Sequence, residues 1–280
     1  MFTKLLKHEW RATRGVIGLL CVIILIAGLT IGGVMCRILT ADEVVMELNE
    51  NTVASETAMS DMEEVICVLL IIAGVMAVAV CGAGSVFVVV YRFYKRCFTD
   101  EGYLTFTLPV NQHQILLSSF LNSVFGVFLV VLACFGAVML AGGMFLLALN
   151  STQEILWADV WLSWQDVWQQ LVDSFRKNIG QFALLGFSGL VSALSELMLL
   201  MLAVTIGALV AKKHKILAAV GVYYGIGFVM SFVYSAFAFS TATTQEVNLL
   251  LAMPGIVGLA LAVGGYFGMH WLITKKLNLA

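Results

Sequence analysis

VICVLLIIAGVMAVAVCGAGSVFVVVY, residues 65–91, runs for 27 positions without an Asp, Glu, Lys or Arg. The hydrocarbon core of a bilayer is about 30 Å thick, and about 20 apolar residues in helix cross it. Lipid offers the backbone no hydrogen-bond partners, so a single spanning segment must satisfy its own, as a helix does. The stretch therefore reads as a membrane-spanning helix. Four more stretches are equally free of charge, at residues 15–36, 102–153, 216–245 and 247–274. A sixth, residues 178–211, is interrupted only by Glu196. The stretch 102–153 is too long for one crossing; residues 102–112 read as loop, and the third helix is expected over 115–149. The first stretch is too long for a signal peptide and five further spans follow it, so it reads as a retained helix. The expected fold is all-α integral membrane: one transmembrane domain of six helices over residues 1–280.

Composition points the same way. Of 280 residues, 61% are hydrophobic and 11% charged, and mean hydropathy is +1.00. Soluble domains carry about 25% charged residues, so a soluble globular enzyme is excluded. Two prolines against 25 glycines suit a helical membrane protein. Cys21, Cys36, Cys67, Cys81 and Cys134 lie in apolar runs and Cys97 beside Arg96. Their spacings match no disulfide framework or zinc pattern, and small apolar filler is the reading.

Charge sidedness orients the spans. With the N-terminus inside, Lys4, Lys7, Arg11, Arg14, Arg92, Lys95, Arg96, Lys212, Lys213, Lys215, Lys275 and Lys276 are cytoplasmic, 12 of 15 basic residues. Only Arg37, Arg176 and Lys177 fall outside, whereas of the acidic residues only Glu9, Asp100 and Glu101 fall inside. That is the positive-inside pattern with both termini cytoplasmic.

Two segments have amphipathic rather than spanning character. Over residues 1–14, Phe2, Leu5, Leu6 and Trp10 share one helical face, and Lys4, Lys7, Arg11 and Arg14 the opposite one. This predicts an in-plane helix whose basic face meets anionic lipid. Glu9 falls on the apolar side, and the in-plane reading does not account for it. Over residues 155–177, Trp157, Trp161, Trp164, Trp168 and Phe175 form one stripe, and Asp159, Asp166 and Asp173 repeat every seven residues opposite it. Tryptophan favours the membrane interface, so an external amphipathic helix is expected; a partner subunit or an aromatic substrate are the other occupants of such a face.

Several chemistries have no motif to carry them. No Gly-x-x-x-x-Gly-Lys-Ser/Thr loop is present for ATP, no His-Glu-x-x-His for zinc, and no Gly-x-Ser-x-Gly elbow for hydrolysis. His8, His113, His214 and His270 are scattered along the chain. Asn150-Ser-Thr is a glycosylation acceptor only in a host that glycosylates. The pairs Gly28/Gly32 and Gly221/Gly225 suggest close helix packing. Glu196, next to Ser192 and Ser195, is the one intramembrane charge. A charge at mid-bilayer costs roughly 3 kcal/mol on insertion scales. Glu196 is therefore either a protonated group bonded to a neighbouring helix or a residue of a translocation path.

The connection between spans two and three reads RFYKRCFTDEGYLTFTLP, Arg92 to Pro109. Basic Arg92, Lys95 and Arg96 and acidic Asp100 and Glu101 surround Phe98, Tyr103 and Phe106; aromatics in a polar loop suggest a partner surface. Asn111 and Gln114 are placed as a capping box opening the third span. The segment resembles that of the ABC-2 type permease subunits of bacterial ABC transporters, in its Phe93-Tyr94-Lys95 and its Thr99-Asp100-Glu101-Gly102-Tyr103 through Pro109 run. Thr205-Ile-Gly, Lys213-His-Lys215, Gly221 and Tyr223-Tyr224 are similar too, as is the basic amphipathic start.

What the resemblance implies is a permease subunit in a bacterial cell membrane. The family works as a dimer, with a second copy or a homologous permease, and with separate ATP-binding cassette ATPase subunits. ATP and magnesium belong to those subunits; this chain binds no cofactor or metal, has no catalytic residue and takes no nucleic acid. Residues 93–112 are implied as the coupling loop, with Arg92, Phe93, Tyr94, Phe98, Thr99, Asp100, Glu101, Gly102, Tyr103, Phe106 and Pro109 docking the ATPase, and export as the direction. Two other classes stay open. An ion-gradient-driven secondary transporter would show discontinuous helices and paired intramembrane ions. An immunity or sensor protein would use the external segment 42–64, whose eight acids and absence of Lys and Arg suit a cationic peptide.

Overall fold

The computed structural model describes residues 2–50, 61–99, 112–152, 157–211, 214–244 and 247–276. Seven helices and no strand occur among the described residues: α1 (Phe2–Glu50), α2 (Asp61–Phe98), α3 (Gln112–Thr152), α4 (Trp157–Lys177), α5 (Ile179–Val210), α6 (Lys215–Thr244) and α7 (Val247–Lys276). All but α4 contain a segment long and apolar enough to cross a membrane: Thr3–Leu39, Met62–Phe98, Gln112–Ala148, Ile179–Val210, Lys215–Ser240 and Asn248–Lys275. These are the six crossings that the charge-free stretches predict. The chain is a helical, multi-pass membrane protein.

The helices outrun the stretches that announce them, because a helix does not end where its lipid does. α1 starts at Phe2 and runs without a break through the basic segment and the first span, to Glu50. Of the acidic segment 42–64, the first nine residues thus lie in α1 and the last four in α2. Residues 51–60 lie outside the described residues, as does Asn111 of the expected capping box. α4 is a separate helix too polar to count as a span. Asn178 joins it to α5 with backbone hydrogen bonds on both sides, to Ser174 O at 3.1 Å and from Phe182 N at 3.0 Å.

The described residues divide into two compact units. One holds those within Thr13–Phe87 and Gly126–Leu171. Here small residues bring helices together, since van der Waals fit rather than hydrophobicity drives association in lipid. A side chain at Gly28 would meet Ala137 at 2.7 Å, and one at Gly32 would meet Ala141 at 2.9 Å, so α1 crosses α3 at its glycine pair. Gly74 of α2 receives Ile31 in the same way, at 2.7 Å. The other unit holds those within Met1–Ala12, Val88–Phe125 and Val172–Ala280. Its centre is α5: half of that span is buried, against 6% of the span in α6. Gly255 and Gly258 of α7 fit against Ser188 and against Ser192 and Ser195 of α5, and Gly207 fits directly on the backbone of Ala219 at the start of α6. Gly221 and Gly225 are different. Nothing lies within 4 Å of a side chain built on either, so the second predicted glycine pair packs against no helix of this chain's described residues.

Candidate functional site

The end of α2 is where the sequence expectation and the fold differ most usefully. Residues 92–98 are helix, the last two turns of α2, and not the beginning of a loop. Phe93 and Cys97 are 3% and 2% exposed. They belong to an apolar cluster with Leu116 of α3, Met198, Met201 and Val204 of α5, Ala219 of α6, and Met269 and Ile273 of α7. Phe98, expected to be exposed, is partly buried against this cluster, edge-on to Phe93 at 6.2 Å and stacked with Tyr94 at 6.3 Å. The helix closes with the Thr99 hydroxyl donating to the Lys95 carbonyl. Asp100, Glu101, Gly102, Tyr103, Phe106 and Pro109 lie outside the described residues.

The other side of the same turns is polar and equally engaged. Arg92 donates through Nη1 to the Ala12 carbonyl at 3.0 Å. One turn later Arg96 forms an ion pair with Glu9, and its Nη1 also donates to Ser119 Oγ at 3.0 Å and Ser118 Oγ at 3.3 Å. Ser119 Oγ lies 2.9 Å and Ser118 Oγ 3.3 Å from the same Glu9 oxygen. Glu9, Ser118 and Ser119 are all buried. This accounts for Glu9: its face of α1 turns toward the ends of α2 and α3, where a counter-ion waits. Lys4, Lys7, Arg11 and Arg14 are exposed, so the basic face stays free. Arg92 and Arg96 therefore serve contacts inside the chain, and of the three basic residues there only Lys95 is exposed.

A second meeting point escapes sequence reasoning altogether. His113 of α3 and His270 of α7, two of the scattered histidines, stack with ring centroids 3.9 Å apart and planes 10° from parallel. His113 Nδ1 is 2.7 Å from the Tyr266 hydroxyl. Only distant helices brought together create this pair, and neither segment signals it. No group of three or more His, Cys, Asp or Glu that could hold a metal ion occurs among the described residues.

Glu196 sits in the middle of α5 and accepts a hydrogen bond from Tyr223 of α6 at 3.2 Å. Its neighbour Ser195 is buried against Gly258, but Glu196 itself is exposed. The carboxylate thus bonds to a neighbouring helix and still faces outward. In the Thr205–Tyr224 segment, Thr205 is fully buried, donating to the Met201 carbonyl at 2.9 Å, while Tyr224 is 70% exposed. The described side chains of α4, including Asp166, Trp168, Asp173 and Phe175, are all exposed. No family model matches the chain, and no curated protein or solved structure is significantly similar to it.

Proposed function

We propose that this chain is the membrane-spanning permease subunit of an ATP-binding cassette transporter, an exporter in a bacterial plasma membrane with both termini cytoplasmic. The observation that carries the reading is the Arg92–Pro109 text between the second and third of six spans, with its likeness to ABC-2 permeases. The fold supports it at one point. The turn leading into residues 100–111 is gripped by α1 on one side and by α3, α5, α6 and α7 on the other. A force applied to that connection by a nucleotide-closing partner reaches the bundle through Phe93 and Cys97. Packed cores pass on such displacements because they are bistable rather than soft. The amphipathic α4 then lies along the outer leaflet with its apolar side sunk, while the start of α1, continuous with the first span, packs on α2 and α3 and turns only its basic residues to the inner leaflet.

The test is biochemical. Purified under mild conditions, the chain is expected to bring an ATP-hydrolysing cassette protein with it and to show no ATPase activity alone. Hydrolysis by the isolated chain, with contaminants removed, would refute the reading. Sidedness has its own check in a cysteine-free background. Cysteines at Asp166 and Asp173 should react with an impermeant thiol reagent on intact cells, and a cysteine at Lys7 only after permeabilisation.

A further inference from the structure

Glu9 occupies a position from which one carboxylate holds both ends of a connection. Arg96 lies near the end of α2, Ser118 and Ser119 near the start of α3, and residues 100–111 join the two helices. All three side chains converge on one oxygen of Glu9. We propose that Glu9 is a positioning residue: it clasps the two anchors of the connection to α1, so that any displacement of the connection is passed to the N-terminal helix as well as to the bundle.

Three observations support the clasp. The first is that stability alone does not explain a buried ion pair. Apolar residues of similar volume commonly replace such a pair without loss, because the attraction roughly offsets the cost of desolvation. What an apolar replacement lacks is direction. A carboxylate paired with a guanidinium and taking a hydrogen bond from the Ser119 hydroxyl admits one arrangement of three helices, whereas leucines admit several. The second is the parallel grip of Arg92 on the Ala12 carbonyl, one helical turn along α2 and nearly one along α1. Two successive arginines thus tie the same two helices. The third is the opposite face of these turns, where Phe93 and Cys97 are locked in the apolar cluster. The end of α2 consequently has no side free to move by itself. That the clasp transmits a signal rests on the permease reading; that it orders the helix ends does not.

The experiment separates the two. Hydrogen–deuterium exchange is followed in the full chain in nanodiscs over residues 2–12, 93–99 and 112–119. Because a lone buried charge in Glu9→Ala threatens folding itself, the main variant is the neutral double Glu9→Gln/Arg96→Gln. Bonds to charged groups are strong enough that their loss should speed exchange in all three segments by about tenfold or more. The swapped pair Glu9→Arg/Arg96→Glu should recover most of the protection, which a merely space-filling role would not allow. In the assembly with its ATPase, the neutral double should keep the partner bound but lose most of the permease's effect on hydrolysis. Unchanged exchange in the neutral double overturns the clasp whatever the partner is. Faster exchange with coupling intact overturns its role in transmission. Faster exchange in a chain that takes no ATP-hydrolysing partner supports the clasp and counts against the permease reading alone.

Discussion

Glu9 and Glu196 are both acids in apolar surroundings, and the chain treats them oppositely. Around Glu9 everything closes inward: the carboxylate is 7% exposed, ion-paired with Arg96 and within hydrogen-bonding distance of two buried serines. Around Glu196 the surface opens. The carboxylate shares one hydrogen bond with Tyr223, and Tyr224, Phe228 and Phe232 of α6 are each at least 60% exposed. A buried charge answered by its own chain belongs to the machinery that holds the chain in shape. One that faces outward in mid-membrane needs water or a second protein surface, since exposure to hydrocarbon is costly. The role of Glu9 is to be sought within the molecule, and that of Glu196 beyond it.

The contrast breaks most sharply at the ion pair. Glu9→Ala leaves the Arg96 cation buried without its carboxylate and should cost about 3–5 kcal/mol. The double change Glu9→Leu/Arg96→Leu should recover most of that, as read by thermal unfolding in detergent. If the single and double variants melt alike, the carboxylate is not answered inside the chain and the comparison fails.

Next in size is the contrast between glycine pairs. Gly28→Leu drives a side chain into the backbone at Ala137 and should cost about 3 kcal/mol. Gly221→Leu enters open space and should leave the melting of the isolated chain unchanged. Loss of self-association in Gly221→Leu, measured by energy transfer between labelled copies, would show that a second copy covers the outward face near Glu196. A related test separates the proposed partner surface from the core. If the chain is the proposed permease, Tyr103→Ala with Phe106→Ala should weaken ATPase binding by about 2 kcal/mol, some thirtyfold, without changing the melting of the chain. Phe98→Ala, by contrast, should lower the melting temperature, because that ring packs on Phe93 and Tyr94.

The smallest effect concerns Glu196 itself. Glu196→Gln keeps an acceptor for Tyr223 and removes the charge, so stability should move by less than about 1 kcal/mol. If the chain is the proposed permease, transport in reconstituted vesicles should change far more than stability does. A variant with unaltered transport would place Glu196 among ordinary interhelical bonds.

The crossings were legible because a span is a local property: each stretch carries its own hydropathy, and no neighbour has to be known. The stretch 65–91 announces α2 by itself, and Gly28 with Gly32 announces a close crossing. What the stretches do not announce is who meets whom. Gly221 and Gly225 have the same spacing as Gly28 and Gly32 yet face no helix among the described residues, because spacing describes one surface and packing needs two. The pairing of Glu9 with Arg96 and of His113 with His270 depends on helices far apart in sequence. The one local sign of the first pair was an anomaly, an acid on the wrong face of an amphipathic helix. The end of α2 reads as loop from its charges and aromatics, and it is helix because Phe93 and Cys97 have a core to enter.

That core has a consequence for the order in which the molecule is made. The cluster enclosing Phe93 and Cys97 includes Met269 and Ile273, near the end of α7. A growing chain settles its early parts first, yet here the last turns of α2 complete their cover only when α7 arrives. Without α7 the cluster lacks Met269 and Ile273, and on that side those turns keep only the partners that α3, α5 and α6 supply. The turn that leads into the connection thus takes its finished form only after α7 has joined the cluster, late in the synthesis of these helices.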